Sequence, residues 1–203
     1  MAVRTKNIAD FIPEVIDEVP GATDPEIALA LRTCARNFLK KTELWQEELA
    51  DLDIVALQRT YVPSITYDAD IQRILWIKLK TESTDDFDDI EPSDEDLYDI
   101  IEDNEIYFLN VDYAPDYALV AGMRIKVVLV PQLGCLEIPE RICNDWGDII
   151  IAGAKEILAR SPRKPYTNPK VEADNHFFYN SGVTSALAEM KRKNKNSTPG
   201  FSA

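Results

Sequence analysis

Glycine and histidine are scarce in this chain, which has seven glycines and one histidine among 203 residues. The glycines form neither G-x-G-x-x-G nor G-x-x-x-x-G-K, so no phosphate-binding loop is recognisable. The single histidine, His176, excludes a histidine-pair metal site and leaves serine or cysteine nucleophiles without an obvious base. It belongs to an apolar helical stripe, which predicts a packed or interface role. Carboxylates are so numerous that pairs arise by chance, so such pairs do not indicate acid–base catalysis. From these absences together we expect no enzyme, no catalytic residues, no cofactor and no metal.

Cysteines and long apolar runs are also few. Cys34, Cys135 and Cys143 show no Cys-x-x-Cys spacing, and we expect buried, reduced thiols rather than disulfides or a zinc site. No apolar run approaches the roughly 20 residues of a membrane-spanning helix. A signal peptide has an apolar core after its first basic residues, but here carboxylates follow them. Neither secretion nor a membrane partner is therefore expected.

Positive charge is in short supply, because 22 Lys and Arg oppose 36 Asp and Glu and give a formal net charge of −14. Such a chain cannot gain affinity by neutralising phosphates over its whole surface, so wrapping of nucleic acid is disfavoured. The charge is unevenly distributed. Residues 81–105 hold 13 of the 36 carboxylates and no Lys or Arg, whereas four cations stand together at 191–195.

The acidic loop, residues 81–105, has three open interpretations: a solvated loop, a surface that repels DNA, and a docking site for a basic partner. Calcium is not expected, because no glycine or bidentate Glu stands in EF-hand register. The candidate residues of this loop are Asp85, Asp86, Asp88, Asp89, Asp94, Glu95 and Asp96.

The basic segment at 191–195 follows the last predicted helix, which we place at residues 169–191. Cations there complement the negative end of the helix dipole, and this alone is a sufficient explanation. They also suit a flexible C-terminal arm, residues 192–203, that docks into an acidic or grooved partner. Extended, residues 191–203 would reach about 40 Å. The candidate arm residues are Lys191, Arg192, Lys193, Lys195, Pro199 and Phe201.

Hydrophobic periodicity predicts an α+β fold. A capping sequence at Thr23 starts a helix whose apolar residues recur at steps of three and four. From about residue 53 the period changes to two, which indicates short antiparallel strands and a hairpin turn at 102–104. Helical spacing returns after Pro139 and again after Asn168-Pro169. Gly153 lies within the third helix, and there it predicts a close contact with another helix.

These elements predict a helical bundle formed by the N- and C-terminal helices, with an inserted antiparallel β module. The helical domain comprises residues 1–52 and 138–191, and the β module residues 53–137. Prolines in the linker between the third and fourth helices are expected to fix the angle between them, although a simple connection is an equal alternative. The linker motif consists of Pro162, Lys164, Pro165, Tyr166, Asn168 and Pro169.

Three different segments follow one another along the chain. The first runs from Phe11-Ile12-Pro13 through Val19-Pro20-Gly21 to the helix that is predicted to end at Trp45. The second is residues 136–140, followed by Trp146 and Gly153. The third is the run 161–169, followed by Ala173, His176, Tyr179 and Gly182-Val183. Together these segments resemble the head–tail adaptor, or connector, proteins of tailed bacteriophages over nearly the whole chain.

This resemblance implies a structural virion protein of the neck, made in the host cytoplasm and located at the head–tail interface. It implies a homo-oligomeric ring, of twelve copies, beneath the portal protein. Such a ring would extend the DNA channel, let DNA pass without specific binding, and offer a surface to a tail nozzle, a tail terminator or the next neck protein. The basic arm would lodge in the portal.

Two alternatives remain open. The first is a gatekeeper or tail tubular protein of a short-tailed phage, which also joins helices to a β module. The second is an acidic cytosolic protein-binding module that holds a basic partner through residues 81–105.

Overall fold

The computed structural model describes residues 4–80, 82, 88–90, 98–101, 104–108 and 115–197. The chain divides into two compact units. The helical unit comprises residues 1–45 and 131–203, and the β unit comprises residues 46–130. The boundaries predicted from the sequence lie seven residues further along the chain at both junctions. Helices and antiparallel sheets are both present, so the predicted α+β class is confirmed.

The described part of the helical unit contains four α-helices and one small antiparallel strand pair. Helices α2, α3 and α4 all contact one another, and α1 contacts both α2 and α3. The rings of Phe38, Trp146 and Tyr179 meet where these long helices pack, with centroid distances of 5.8 and 6.5 Å from Phe38. The elements are β1 (Thr5–Asn7), α1 (Ile12–Ile16), α2 (Asp24–Thr42), β10 (Glu137–Pro139), α3 (Glu140–Ala159) and α4 (Pro169–Ser197), with a 3₁₀ turn at Ile8–Phe11.

Helix α2 begins where the sequence predicts. The backbone N–H and hydroxyl of Thr23 both donate to the Glu26 carboxylate at 3.0 Å, as in a capping box. The helix ends at Thr42, because Glu43 adopts a left-handed conformation with φ of 54°. The helical stripe therefore stops short of Trp45, which is nevertheless buried.

Helix α4 also begins as predicted but ends later. The Asn168 side chain accepts hydrogen bonds from the backbone N–H groups of Lys170 and Val171, at 3.1 and 3.3 Å. The helix continues to Ser197, so the prediction of a flexible arm from residue 192 is wrong for residues 192–197. Lys and Arg are good helix formers, cations are favourable at the last turn, and no Gly or Pro intervenes. Residues 191–197 therefore advance only about 10 Å.

The β unit is organised around two long antiparallel strands whose inward residues form its core. Residues of this core include Ile71, Ile74, Ile77, Met123 and Ile125. One sheet has the order β2-β9-β5-β6, with β3 also paired to β9, and a second has the order β4-β8-β7. The strands are β2 (Gln46–Glu48), β3 (Leu52–Ile54), β4 (Thr60–Tyr61), β5 (Ala69–Leu79), β6 (Asp88–Ile90), β7 (Tyr98–Ile101), β8 (Glu105–Phe108) and β9 (Leu119–Pro131).

The hairpin predicted around residues 102–104 is confirmed. Strands β7 and β8 pair so that Ile101 is opposite Glu105. Asn104 has φ of 63°, a conformation that asparagine tolerates better than most residues. Its side chain accepts from the Ile71 N–H at 2.6 Å and donates to the Ala69 carbonyl at 3.2 Å. The turn residue thus also ties the hairpin to β5.

The period of two that begins near residue 53 does not produce a strand at residues 55–59. Residues 55–59 form a turn between β3 and β4, with the Gln58 N–H bonded to the Val55 carbonyl at 3.0 Å. Leu57 has φ of 62° and is 67% exposed. The Leu57 N–H bonds instead to the Pro115 carbonyl at 2.7 Å, so alternation of residue types does not by itself produce a strand here.

Candidate functional site

The linker between α3 and α4 docks on the first turn of α2. Lys164 Nζ lies 2.8 Å from Glu26 Oε1, and the Tyr166 hydroxyl donates to the same oxygen at 3.0 Å. The Tyr166 side chain is buried. Hydrogen bonds from Lys164, Thr23 and Tyr166 hold the pKa of Glu26 at about 2, and the pKa of Lys164 is raised by the same contact. One carboxylate therefore caps α2 and binds the linker.

Hydrogen bonds inside the linker close it into a defined turn. The Thr167 hydroxyl donates to the Ser161 carbonyl at 2.6 Å and accepts from the Lys164 N–H at 3.2 Å. The Asn168 N–H bonds to the Ala159 carbonyl at 3.1 Å. Pro165 packs beside Gly21, whose φ of 94° favours glycine. This geometry favours the interpretation in which the linker, with Pro162 and Pro169 at its two ends, fixes the direction of α4.

Replacing Glu26 with glutamine is expected to destabilise the protein at neutral pH, because the neutral amide loses the contact with Lys164. The pKa of Glu26 is lowered by folding, from 4.5 to about 2. Its carboxylate therefore stabilises the fold fully above pH 4.5, and this contribution is lost as the pH falls towards 2. Urea unfolding midpoints at pH 7 and pH 2.5 check this: the two proteins should differ at pH 7 and differ much less at pH 2.5. An equal difference at both values contradicts it.

A second set of polar contacts joins the end of α1 to α3 and α4. The Glu18 carboxylate accepts hydrogen bonds from Lys155 Nζ at 2.8 Å and from Asn175 Nδ2 at 3.2 Å. These bonds lower the pKa of Glu18. The Lys155 amine is largely buried at this contact. The sequence analysis missed this cluster, because its three residues are far apart in the chain and carry no joint spacing signal.

The basic segment lies on the last turns of α4. Lys191, Arg192 and Lys193 are exposed, and Lys193 pairs with Glu189 one turn earlier. Lys195 is also within the helix, whereas Pro199 and Phe201 lie outside the described residues. The candidate arm residues therefore begin as a helical group of cations.

Helix α4 also presents large apolar side chains to solvent. Phe177 is 77% exposed and Phe178 is 49% exposed, and Leu187 is partly exposed. The apolar residues that recur at steps of three and four along this helix are buried, as helical periodicity predicts: Tyr179, Val183, Ala186 and Met190. Sequence periodicity identified the buried face of α4 but not the exposure of the two phenylalanines. A Phe-Phe pair that lies off the apolar stripe of a helix could have indicated it.

The acidic loop is not a loop throughout. Asp88–Ile90 form β6, an edge strand in which Asp89 is opposite Lys78 and Ile90 is opposite Ile77 of β5. Residues 98–101 form β7. Pairing with β5 gives hydrogen-bond partners to the backbone groups of residues 88–90 that face it, which helps a strand to form here despite the like charge. The other candidates, Asp85, Asp86, Asp94, Glu95 and Asp96, lie outside the described residues.

The excess negative charge belongs to one unit only. By sequence, the helical unit contains 16 Lys and Arg and 15 Asp and Glu, a net charge of +1. The β unit contains 6 Lys and Arg and 21 Asp and Glu, a net charge of −15. The two units therefore differ strongly in which charged partners they attract.

Of the two roles predicted for His176, packed or at an interface, the packed one is wrong. Its side chain is 60% exposed, and its Nδ1 lies 3.0 Å from Oε1 of the buried Glu156. A hydrogen bond to a carboxylate, rather than apolar packing, therefore positions the ring on α4.

The thiols follow the predicted pattern in two of three cases. Cys34 and Cys143 are buried, and burial raises their pKa to about 12 and about 11. Cys135 is only partly buried. It lies just before β10, where its thiol donates to the Glu137 carbonyl at 3.1 Å. All three thiols are reduced, and the two buried ones have little thiolate character.

Comparison with known proteins gave no assignment: no family model matches the chain, and no curated protein matches it. Within the described residues, no cluster of His, Cys, Asp and Glu has the arrangement of a metal site. None of the helices in that part of the chain is long and apolar enough to cross a membrane.

Proposed function

We propose that this protein is a structural head–tail adaptor of a tailed bacteriophage, a ring component beneath the portal that extends the DNA channel and carries the tail. In this proposal the helices from both chain ends form the bundle of the adaptor, and the β unit is its insertion. The observation that carries the proposal is α4, a 29-residue helix that is held by a docked linker and ends in a group of cations.

The docked linker supports this role because it gives α4 a fixed direction. Glu26 binds Lys164 and Tyr166, and Asn168 caps the following helix. A helix anchored at its start can present its far end to a partner with little loss of conformational entropy. The cations Lys191, Arg192 and Lys193 then meet the portal as a preformed group.

The charge distribution supports both ring formation and DNA passage. A twelve-membered ring of an evenly charged chain would oppose its own assembly, but the helical unit carries a net charge of only +1. Copies that associate through this unit avoid most of the repulsion. The β unit, with a net charge of −15, repels phosphates, as a conduit that must not bind DNA requires.

The exposed phenylalanines of α4 supply apolar surface for contacts between copies. Phe177 and Phe178 are solvent-exposed next to small residues, Ser181 and Thr184, which permit close approach of another chain. Aromatic residues are enriched in the buried centres of protein interfaces. We place the copy-to-copy contact on this face of α4.

Replacing Phe177 with serine tests this proposal, because the exposed ring contributes little to the fold of one chain. We expect unchanged urea unfolding, but at least a tenfold loss in the number of copies bound to purified portal rings. Mass photometry of the mixture measures this number. The control is Leu133→Ser, which removes an equally exposed apolar side chain outside α4. Equal occupancy by the wild type and both variants would remove this face from the assembly.

A further inference from the structure

A polar cavity of about 360 Å³ opens between α2, α3 and α4 in the helical unit. Its inner part is formed by Cys34, Gly153 and Tyr179, where burial raises the pKa of both the thiol and the phenol and so keeps them neutral. Its outer part carries charged and amide side chains: Asn37, Lys41, Glu156, Arg160, His176 and Asn180.

Hydrogen bonds on both ring nitrogens fix the orientation of His176 in this cavity. Nδ1 lies 3.0 Å from Glu156 Oε1, and Nε2 lies 3.0 Å from the Asn180 amide nitrogen. A neutral ring that donates from Nδ1 to the carboxylate accepts at Nε2 from the Asn180 amide, so every group is satisfied. Asn180 is itself held by a bond to the His176 carbonyl at 2.9 Å.

The charges around the cavity favour an anion over a cation. Glu156 is only 8% exposed, and its carboxylate is compensated by His176 and by Arg160, whose Nη1 is 3.6 Å away. Lys41 has its amine 5.7 Å from the centre of the Tyr179 ring and forms no ion pair among the described residues. With the imidazole neutral, Lys41, Arg160 and Glu156 give the lining a net charge of +1.

We propose that this cavity binds a small oxyanion, a carboxylate or phosphate group, between Lys41 and Arg160, with the Asn37 amide as a further hydrogen-bond donor. Two cations and one amide match the oxygen acceptors of such a group. The buried Glu156 is the one lining group that opposes an anion, and its role is to hold His176 and Arg160 in place.

The single histidine provides a direct readout, since its imidazole NMR signals need no assignment by mutation. We expect the His176 signals to shift saturably when inorganic phosphate or acetate is added at constant pH and ionic strength. Saturation with acetate alone identifies a carboxylate site, saturation with phosphate alone identifies a phosphate site, and saturation with both identifies a general oxyanion site.

Charge-removing variants locate the binding. Lys41→Gln and Arg160→Gln should each weaken the saturable response at least tenfold, with urea unfolding midpoints checking that both variants fold. The control Lys170→Gln removes an exposed cation outside the cavity and should bind as the wild type does. A response that is linear for both anions, or that saturates equally in all four proteins, overturns the proposal.

Discussion

Replacing Gly153 with alanine is expected to lower the free energy of unfolding by about 2 kcal/mol, since overpacking costs up to about 3 and alanine regains about 1 through helix propensity. A Cβ at this position would overlap Cys34 Sγ and come within 2.8 Å of the Tyr179 ring. Neither neighbour can move easily, because both are buried between α2, α3 and α4. Chemical denaturation of the purified variant measures the loss.

A rescue experiment separates this steric cause from a general sensitivity of α3. Cys34→Ala removes the sulfur, so the double variant should be more stable than the sum of the two single losses predicts, by about 1 kcal/mol or more. Gly134→Ala serves as the control, because nothing lies within 4 Å of a Cβ built there. Strict additivity between the changes at Gly153 and Cys34 would contradict the close-contact explanation.

Reversing the charge of the basic segment should abolish capture by the portal. Lys191→Glu, Arg192→Glu and Lys193→Glu together replace three cations with three carboxylates on the exposed end of α4. We expect at least a hundredfold weaker binding to purified portal at 150 mM salt, and a smaller difference at higher salt, where such interactions are screened. Fluorescence anisotropy of labelled protein with portal rings measures both affinities.

Matched variants distinguish charge recognition from loss of helix. Carboxylates at a helix C-terminus oppose the dipole and fray the last turn, so the reversal changes two properties at once. Glutamine at the same three positions removes the charge and keeps a good helix former, and it should still lose most of the affinity. Lys170→Glu, at the start of α4, should bind normally. Full affinity of the glutamine variant would assign the effect to helix fraying.

Local signals predicted the helix starts well because their causes lie within a few residues. The capping box at Thr23 and Glu26 and the Asn168 cap depend only on neighbouring backbone groups, and both occur as predicted. The hairpin at Asn104 is similar, since a left-handed turn position favours asparagine whatever surrounds it. Gly153 also indicated its close contact, because a glycine within a helix needs a reason.

Features that depend on distant residues were not predicted. His176 was expected to be packed or at an interface because its neighbours in the stripe are apolar, but it is not packed, since Glu156 on α3 holds its ring at the surface. The same applies to Glu26, which the sequence indicates only as a cap, whereas the structure adds Lys164 and Tyr166 from a linker nearly 140 residues away. Composition alone suggested a tail from residue 192, and helix propensity extends α4 instead.

The division of charge changes the physical account of assembly. Taken over the whole chain, a net charge of −14 argues against packing many copies side by side. Counted by unit, the helical unit is nearly neutral and the β unit holds the excess. A portal-bound ring is therefore electrostatically reasonable when its copies associate through the helical unit.

The most direct test of the adaptor proposal is the mass and shape of the purified protein, alone and mixed with the portal protein of the same phage. Light scattering with negative-stain imaging measures both. The proposal predicts a monomer or small oligomer alone, and a portal that gains a ring of this protein on one face when mixed. A portal of unchanged mass and shape, at several salt concentrations, would contradict it.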